Sequence, residues 1–163
     1  MTPKKTRVRA VALVVRGDEI IAIYRENYGE MYWTFPAGGV EDGESDEEAC
    51  ARELLEEASV VGRVIKKLAT IESFARVNRP GYPVIGTKSV NEVFFVEYVS
   101  GEPALSPVSP EYQRVLLGAA KGNQVYKPQW VPIVEFLKNS DVKPPELGEW
   151  MHAYLSDTID RVV

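Results

Sequence analysis

The chain predicts an α/β fold of the α+β type, in which both strands and helices contribute to one core. Apolar, β-branched runs of strand length occupy Val8 to Val15, Ile20 to Tyr24, Val60 to Phe74 and Val90 to Val99, and helical signatures occupy Asp46 to about Ser59 and Glu146 to Val162. With 163 residues, 45% hydrophobic and 26% charged, the chain is long and apolar enough to bury one core, so a single domain over residues 1–163 is expected, with residues 1–6 as a flexible tail.

Gly17-Asp18 is a tight-turn pair between the first two runs, so a hairpin is expected. Trp33 to Pro36 reads as a short strand entering Ala37-Gly38-Gly39, where two glycines permit backbone conformations closed to other residues and a sharp loop is expected. Ser45 with Glu48 three residues later is a capping-box signature, and Asp46 and Glu47 suit the positive end of a helix dipole. In the helix that follows, Ala51, Leu54, Leu55 and Ala58 recur at i, i+3, i+4 and i+7, an apolar face for docking on a sheet. The next two strands are joined by a loop with Arg76, Arg79, Pro80, Gly81, Tyr82, Pro83 and Lys88, which reads equally as a substrate-facing segment and as a surface connection. Gly101 to Pro110 is expected to be irregular, Glu111 to Ala120 a short helix, Gln129 to Val131 a strand and Ile133 to Lys138 a helix. There is no internal repeat, low-complexity tract or linker.

The formal net charge of -5 argues against long-range attraction to nucleic acid or anionic membrane, so a polyanionic ligand must meet local cations. No apolar run approaches the roughly 20 residues of a membrane span, and Met-Thr-Pro-Lys-Lys does not resemble a secretory leader; a cytoplasmic protein is expected. The single cysteine, Cys50, falls within the helical pattern and is expected to pack. The single histidine, His152, leaves no multi-histidine zinc site and makes a histidine-based nucleophilic mechanism improbable.

The most informative stretch is Gly38 to Val60. On a helix Glu53 and Glu57 lie one turn apart with Glu56 beside them, so three carboxylates are expected to converge within about 6 Å. The ordinary alternative is a solvated acidic face. Against it, like charges at i and i+4 cost roughly 0.2 to 0.5 kcal/mol, and Glu56 and Glu57 fall near the negative end of the dipole. A bound hard divalent cation relieves both penalties and points to metal-assisted phosphate hydrolysis.

This stretch resembles the Nudix hydrolase box, G-x5-E-x7-R-E-U-x-E-E-x-G-U with U a bulky aliphatic residue. Gly38, Glu44, Arg52, Glu53, Leu54, Glu56, Glu57 and Val60 fill their places, while Ser59 replaces the last glycine. Trp33-Thr34-Phe35-Pro36 before the box and Glu41-x-Gly43-Glu44 within it are similar to the family's usual approach. The resemblance implies a Nudix fold, a mixed β-sheet sandwiched between helices, and Mg²⁺ or Mn²⁺ held by Glu53, Glu56 and Glu57, one of which orients or deprotonates the attacking water. It makes Arg52 and Glu44 supporting residues, the first orienting a neighbouring glutamate and the second anchoring the helix. Many members use a further glutamate outside the box. Glu111 is the best placed here, its plain alternative being a helix-start carboxylate, whereas Glu92 and Glu97 fall within a predicted strand. Arg25 resembles an arginine common before the box and, with Gly38, Gly39, Arg76 and Lys88, is a candidate for substrate binding; a surface ion pair is its alternative. Ser59 would stand where a left-handed residue often ends a helix, at a cost of up to about 1 kcal/mol and with no loss of a metal oxygen.

The implied activity is hydrolysis of a diphosphate bond in a nucleoside diphosphate linked to another group, or in a nucleoside triphosphate. The alternative is a Nudix-fold module that binds a nucleotide without cleaving it. The implied partner is a small nucleotide or nucleotide-like diphosphate, with neither nucleic acid nor membrane expected and a homodimer left open. Trp130, Trp150, Tyr82 and Tyr126 offer faces on which a base can stack, although aromatics are ordinarily core. Family markers for ADP-ribose or dinucleoside polyphosphates would be a proline or a tyrosine where Ala75-Arg76-Val77 stands, so neither substrate is indicated.

Overall fold

The computed structural model describes residues 6–27, 29–76, 84–107, 109, 112, 124–139 and 141–162. Its sheet is organised by a fork at the first hairpin. β1 (Arg7–Arg16) and β2 (Glu19–Asn27) turn at Gly17, whose φ of 60° suits glycine, and pair antiparallel at Val15 with Ile20 and Arg16 with Glu19. Beyond that point they separate. β3 (Glu30–Thr34) takes the freed edge of β2, and β4 (Ala37–Gly39) takes that of β1. β7 (Gln124–Pro132) lines the other edge of β2 antiparallel, while β6 (Lys88–Ser100) runs parallel to β1 and carries β5 (Val61–Phe74) outside it. The sheet is therefore mixed.

Period-two alternation along β1 assigns its two faces. Ala10, Ala12 and Val14 join Phe94, Val96 and Ile21 beneath α1 (Asp46–Ala58). Val11 and Leu13 join Val93, Ile20 and Ala22 beneath α2 (Ile133–Asn139) and α3 (Pro145–Val162), which contribute Phe136, Leu147, Met151 and Leu155. Both faces are covered by helices, as the resemblance implied. No helix among the described residues is long and apolar enough to cross a membrane.

Three expectations need correction. Ala37-Gly38-Gly39 is a strand rather than a sharp loop, with Gly38 opposite Ala10, and neither glycine adopts a positive φ. Leu55 is exposed; the buried stripe of α1 is Ala49, Cys50, Leu54 and Ala58. Several apolar residues on this helix satisfy helical spacing, and the stripe centred on Cys50, Leu54 and Ala58 is the one that meets β1 and β6. Cys50 packs as expected, fully buried, with its thiol pushed up to about 12 by burial. Lys88 begins β6 instead of lying in the loop before it. Glu111 and nearly all of the expected helix from Glu111 to Ala120 lie outside the described residues, as do Arg79, Pro80, Gly81, Tyr82 and Pro83 and the first five residues.

Candidate active site

Local chemistry fixes both ends of α1. Ser45 Oγ accepts from the Glu48 amide at 3.1 Å and Glu48 Oε1 accepts from the Ser45 amide at 3.4 Å, closing the capping box. At the other end Ser59 is left-handed, with φ 57° and ψ 30°, and its amide donates to the Leu55 carbonyl at 3.0 Å. Each residue advances about 100° around the helix, so Glu57, Glu53 and Glu56 follow one another from the margin of the buried stripe outward. The first two meet β4. Glu57 Oε1 accepts from the Ala37 amide at 2.7 Å, and the Glu53 carboxyl lies over Gly38 so closely that a Cβ there would stand 2.1 Å from its Cδ. Gly38 is needed for this close approach, not for an unusual backbone conformation.

Arg52 ties the arrangement together. Its Nε and one terminal nitrogen donate to the two oxygens of Glu44 at 2.7 and 3.0 Å; the latter nitrogen also donates to the Gly39 carbonyl at 3.0 Å. The other terminal nitrogen donates to Glu53 Oε1 at 2.8 Å and Glu56 Oε2 at 3.2 Å. The guanidinium is held charged chiefly by the Glu44 bond, and the same bond lowers the pKa of Glu44. Glu53 moves the other way. Burial raises its pKa and the Glu56 charge adds to the rise, against the opposing pull of Arg52.

A second group of polar residues approaches α1 from β2 and β7. Tyr126 Oη donates to the Glu57 carbonyl at 2.9 Å, and the Arg25 guanidinium lies over the Tyr126 ring, 5.0 Å from its centre. Arg25 pairs in register with Tyr126 and Asn27 with Gln124, so Arg25, Tyr126 and Gln124 share one face. Arg25 Nε and Gln124 Oε1 are buried and make no hydrogen bond among the described residues. On β1, Arg9 feels the charges of Glu57 and Glu53, while burial lowers its pKa more than those carboxylates raise it. Sequence reading did not single out Arg9 or Gln124. The available signal for Arg9 was a cation that, with Arg7, continues the strand face of Val11 and Leu13.

Other candidates are engaged elsewhere. Arg76 pairs with Glu146, Lys88 with Glu72 at 3.2 Å, and Glu97 with Arg63 at 2.6 Å. Glu92 is buried, contacting Lys67 at 2.6 Å and accepting from Thr70 at 2.8 Å. His152 stacks on Phe136, Trp150 on Tyr154, and the Arg16 guanidinium covers Trp130 at 3.9 Å.

The three box carboxylates are held by partners within the protein. As the side chains stand, no group of three acidic residues among those described surrounds a single point, because Arg52 engages Glu53 and Glu56 while the Ala37 amide engages Glu57. The donors nonetheless fit a hard divalent cation. All are carboxylate oxygens, Glu53 occupies a cradle that a Cβ would fill, and its raised pKa marks a charge that its surroundings leave under-compensated.

A family model described as NUDIX domain matches residues 5–154. Among curated proteins, an RNA pyrophosphohydrolase of Vibrio cholerae is 36% identical over 70 residues, covering 43% of this chain and 41% of the relative. The match thus spans about two fifths of that relative's length. Among solved structures, a MutT protein from Methanosarcina mazei Go1 is similar with a TM-score of 0.65 at 18% identity, covering 99% of this chain and 97% of that one. A NUDIX hydrolase from Nitrosomonas europaea has a TM-score of 0.59 at 23% identity, covering 81% and 76%. These two likenesses establish the fold. Because the family model spans most of the sequence, box included, the chain belongs to the NUDIX domain family.

Proposed function

We propose that the chain is a divalent-metal-dependent hydrolase of a phosphoanhydride bond in a nucleotide or nucleotide-like di- or triphosphate. The observation that carries this reading is the Glu53, Glu56 and Glu57 set on α1, packed against the β4 glycines and tied by Arg52 to Glu44. Glu53, Glu56 and Glu57 would hold Mg²⁺ or Mn²⁺. When bound, the ion screens phosphate oxygens and makes a water more acidic.

The chain's own residues then divide the remaining work. Arg52 limits the freedom of Glu53 and Glu56 and fastens α1 to Glu44 and the Gly39 carbonyl. One of the three box glutamates orients or takes a proton from the attacking water. Arg25, whose Nε has no hydrogen-bond partner among the described residues, is assigned to a substrate phosphate; Gly39, where a Cβ would meet nothing within 4 Å, leaves room for substrate along β4, and Gly38 leaves room for the Glu53 carboxyl beside it. Glu111, Arg76 and Lys88 remain secondary assignments. The reaction would take place in a reducing, cytoplasmic setting within a single domain.

The curated relatives, named RNA pyrophosphohydrolase, favour a second reading of the substrate, a pyrophosphate linkage carried by an RNA, so the test includes such a substrate. The purified protein is incubated with Mg²⁺ and a panel of nucleoside triphosphates, diphosphate-linked nucleotides and a short 5′-triphosphate RNA, with products identified by mass spectrometry. Turnover of at least one substrate is expected, falling by about 10²-fold or more in Glu56→Gln. Tight nucleotide binding with no product on long incubation would instead favour the non-hydrolysing module.

A further inference from the structure

A cavity at the outer edge of the sheet lies away from the box. Tyr24 on β2 pairs in register with Trp33 on β3 and is in phase with Ile20 and Ala22, which meet α2 and α3, whereas its neighbour Arg25 sits with Tyr126 on the α1 side. Around this pair a cavity of about 250 Å³ is lined by Tyr24, Met31, Tyr32, Trp33 and Asp141. Backbone bonds set its outer wall. The Trp33 amide donates to the Asp141 carbonyl at 2.7 Å and the Lys143 amide to the Trp33 carbonyl at 3.0 Å, which lays Asp141 and Val142 along the outer edge of β3.

The walls select a ligand by size, shape and charge. The volume is below the about 300–1,000 Å³ of pockets that take drug-sized molecules, so the occupant is small. Tyr24 and Trp33 have ring centres 5.3 Å apart and planes 61° apart, a corner and not the parallel slot that a flat base would enter. Rings that meet in a corner beside a carboxylate suit a compact cation, which is attracted to the ring faces and to the negative charge together. The protein makes one such contact itself, with Lys143 Nζ 4.6 Å from the centre of the Tyr32 ring. Lys143 is neutralised by its ion pair with Glu30, and Tyr24 Oη donates to Glu26 Oε1 at 2.7 Å, which fixes the ring beside a second carboxylate. The Asp141 carboxylate has no hydrogen bond or ion pair among the described residues. Lys127, in register with Tyr24 on β7, is exposed, so water and salt screen its charge. Met31 is 66% exposed and offers a soft, apolar contact for methyl groups.

We propose that this cavity binds a small organic ammonium ion of the quaternary or methylated kind, held against Trp33 and Tyr24 with Asp141 as its counter-charge. The site faces away from the α1 carboxylates and does not depend on the hydrolase reading.

Ligand-observed NMR titration at fixed ionic strength tests it, comparing choline with its neutral carbon isostere, in which a tert-butyl group replaces the trimethylammonium. The wild-type protein is expected to bind choline about tenfold more tightly than the isostere. Asp141→Asn should weaken choline by about threefold or more and leave the isostere unchanged, and Tyr24→Leu should weaken choline by about tenfold. Asp141 is bonded in the fold through its backbone, so Asp141→Asn carries the test if Tyr24→Leu does not fold. No binding of choline by the wild type, equal affinity for the isostere, or unchanged choline affinity in Asp141→Asn would overturn the proposal. A trimethyllysine peptide bound about tenfold more tightly than choline would overturn the assignment to a free ion and make the face a peptide-docking surface.

Discussion

Replacing Gly38 by alanine separates catalysis from stability. The new Cβ would lie 2.1 Å from Glu53 Cδ and 2.2 and 2.4 Å from its two oxygens. Ordinary contact needs about 3.5 Å, so the carboxyl group must retreat by about 1.5 Å. The obstacle is the flexible end of a side chain, and Gly38 is a strand residue without a positive φ, so the backbone accepts alanine. A gain of about 0.5–1 kcal/mol from replacing a strand glycine opposes the weakened bond between Glu53 and Arg52, itself about 1.5 kcal/mol or more. Net stability should change by about 1 kcal/mol or less. Hydrolysis should fall by about 10²-fold, because displacement of a reacting or metal-binding group by an ångström or more has effects of that order. Urea denaturation and Mg²⁺-dependent turnover on the same preparation check both numbers. Activity within about threefold of wild type would refute the reasoning, as would a stability loss large enough to account for the inactivity.

Other outcomes follow from single features of the site. Ser59→Gly relieves a left-handed serine and should raise stability by about 0.5–1 kcal/mol, or about 2–3 °C in melting temperature, with turnover unchanged; calorimetry against wild type checks this. The folded state raises the pKa of Glu53, so its ionisation opposes folding, and Glu53→Gln should stabilise the metal-free protein at pH 7. The advantage should shrink as pH falls through the raised pKa, where the wild-type carboxyl takes up its own proton; a difference that grows toward acid would contradict the sign. Glu44 is lowered by Arg52, so Glu44→Gln should destabilise at pH 7, with the deficit disappearing as pH falls through the lowered pKa. Melting curves from pH 3 to 8 read both effects.

What could be read from the sequence was local. Ser45 and Glu48 define the start of α1 because their bonds span three residues, and the unbroken apolar run from Ala10 to Val15 in β1 reports that both its faces are covered. The box glutamates were legible as a spacing on a helix, but their present partners were not. Glu57 bonds to Ala37 twenty residues away, and Tyr126 reaches the Glu57 carbonyl across 69. Arg9 and Asn91 are 82 residues apart and meet only because β1 and β6 lie parallel in one register. Gly38 was legible as a needed glycine for the wrong reason, since loop conformation and close approach leave the same mark on a sequence. Leu55 fitted the helical template as well as Leu54, and only the docking of α1 on the sheet decided between them.

The most direct test of the central claim is to grow crystals with Mn²⁺ and a non-hydrolysable nucleotide and to locate the metal by its anomalous scattering. The account predicts manganese bonded to carboxylate oxygens of Glu53, Glu56 and Glu57, beside the phosphate chain. Manganese bound elsewhere, with Glu53 and Glu56 still on Arg52 and Glu57 still on the Ala37 amide, would contradict it.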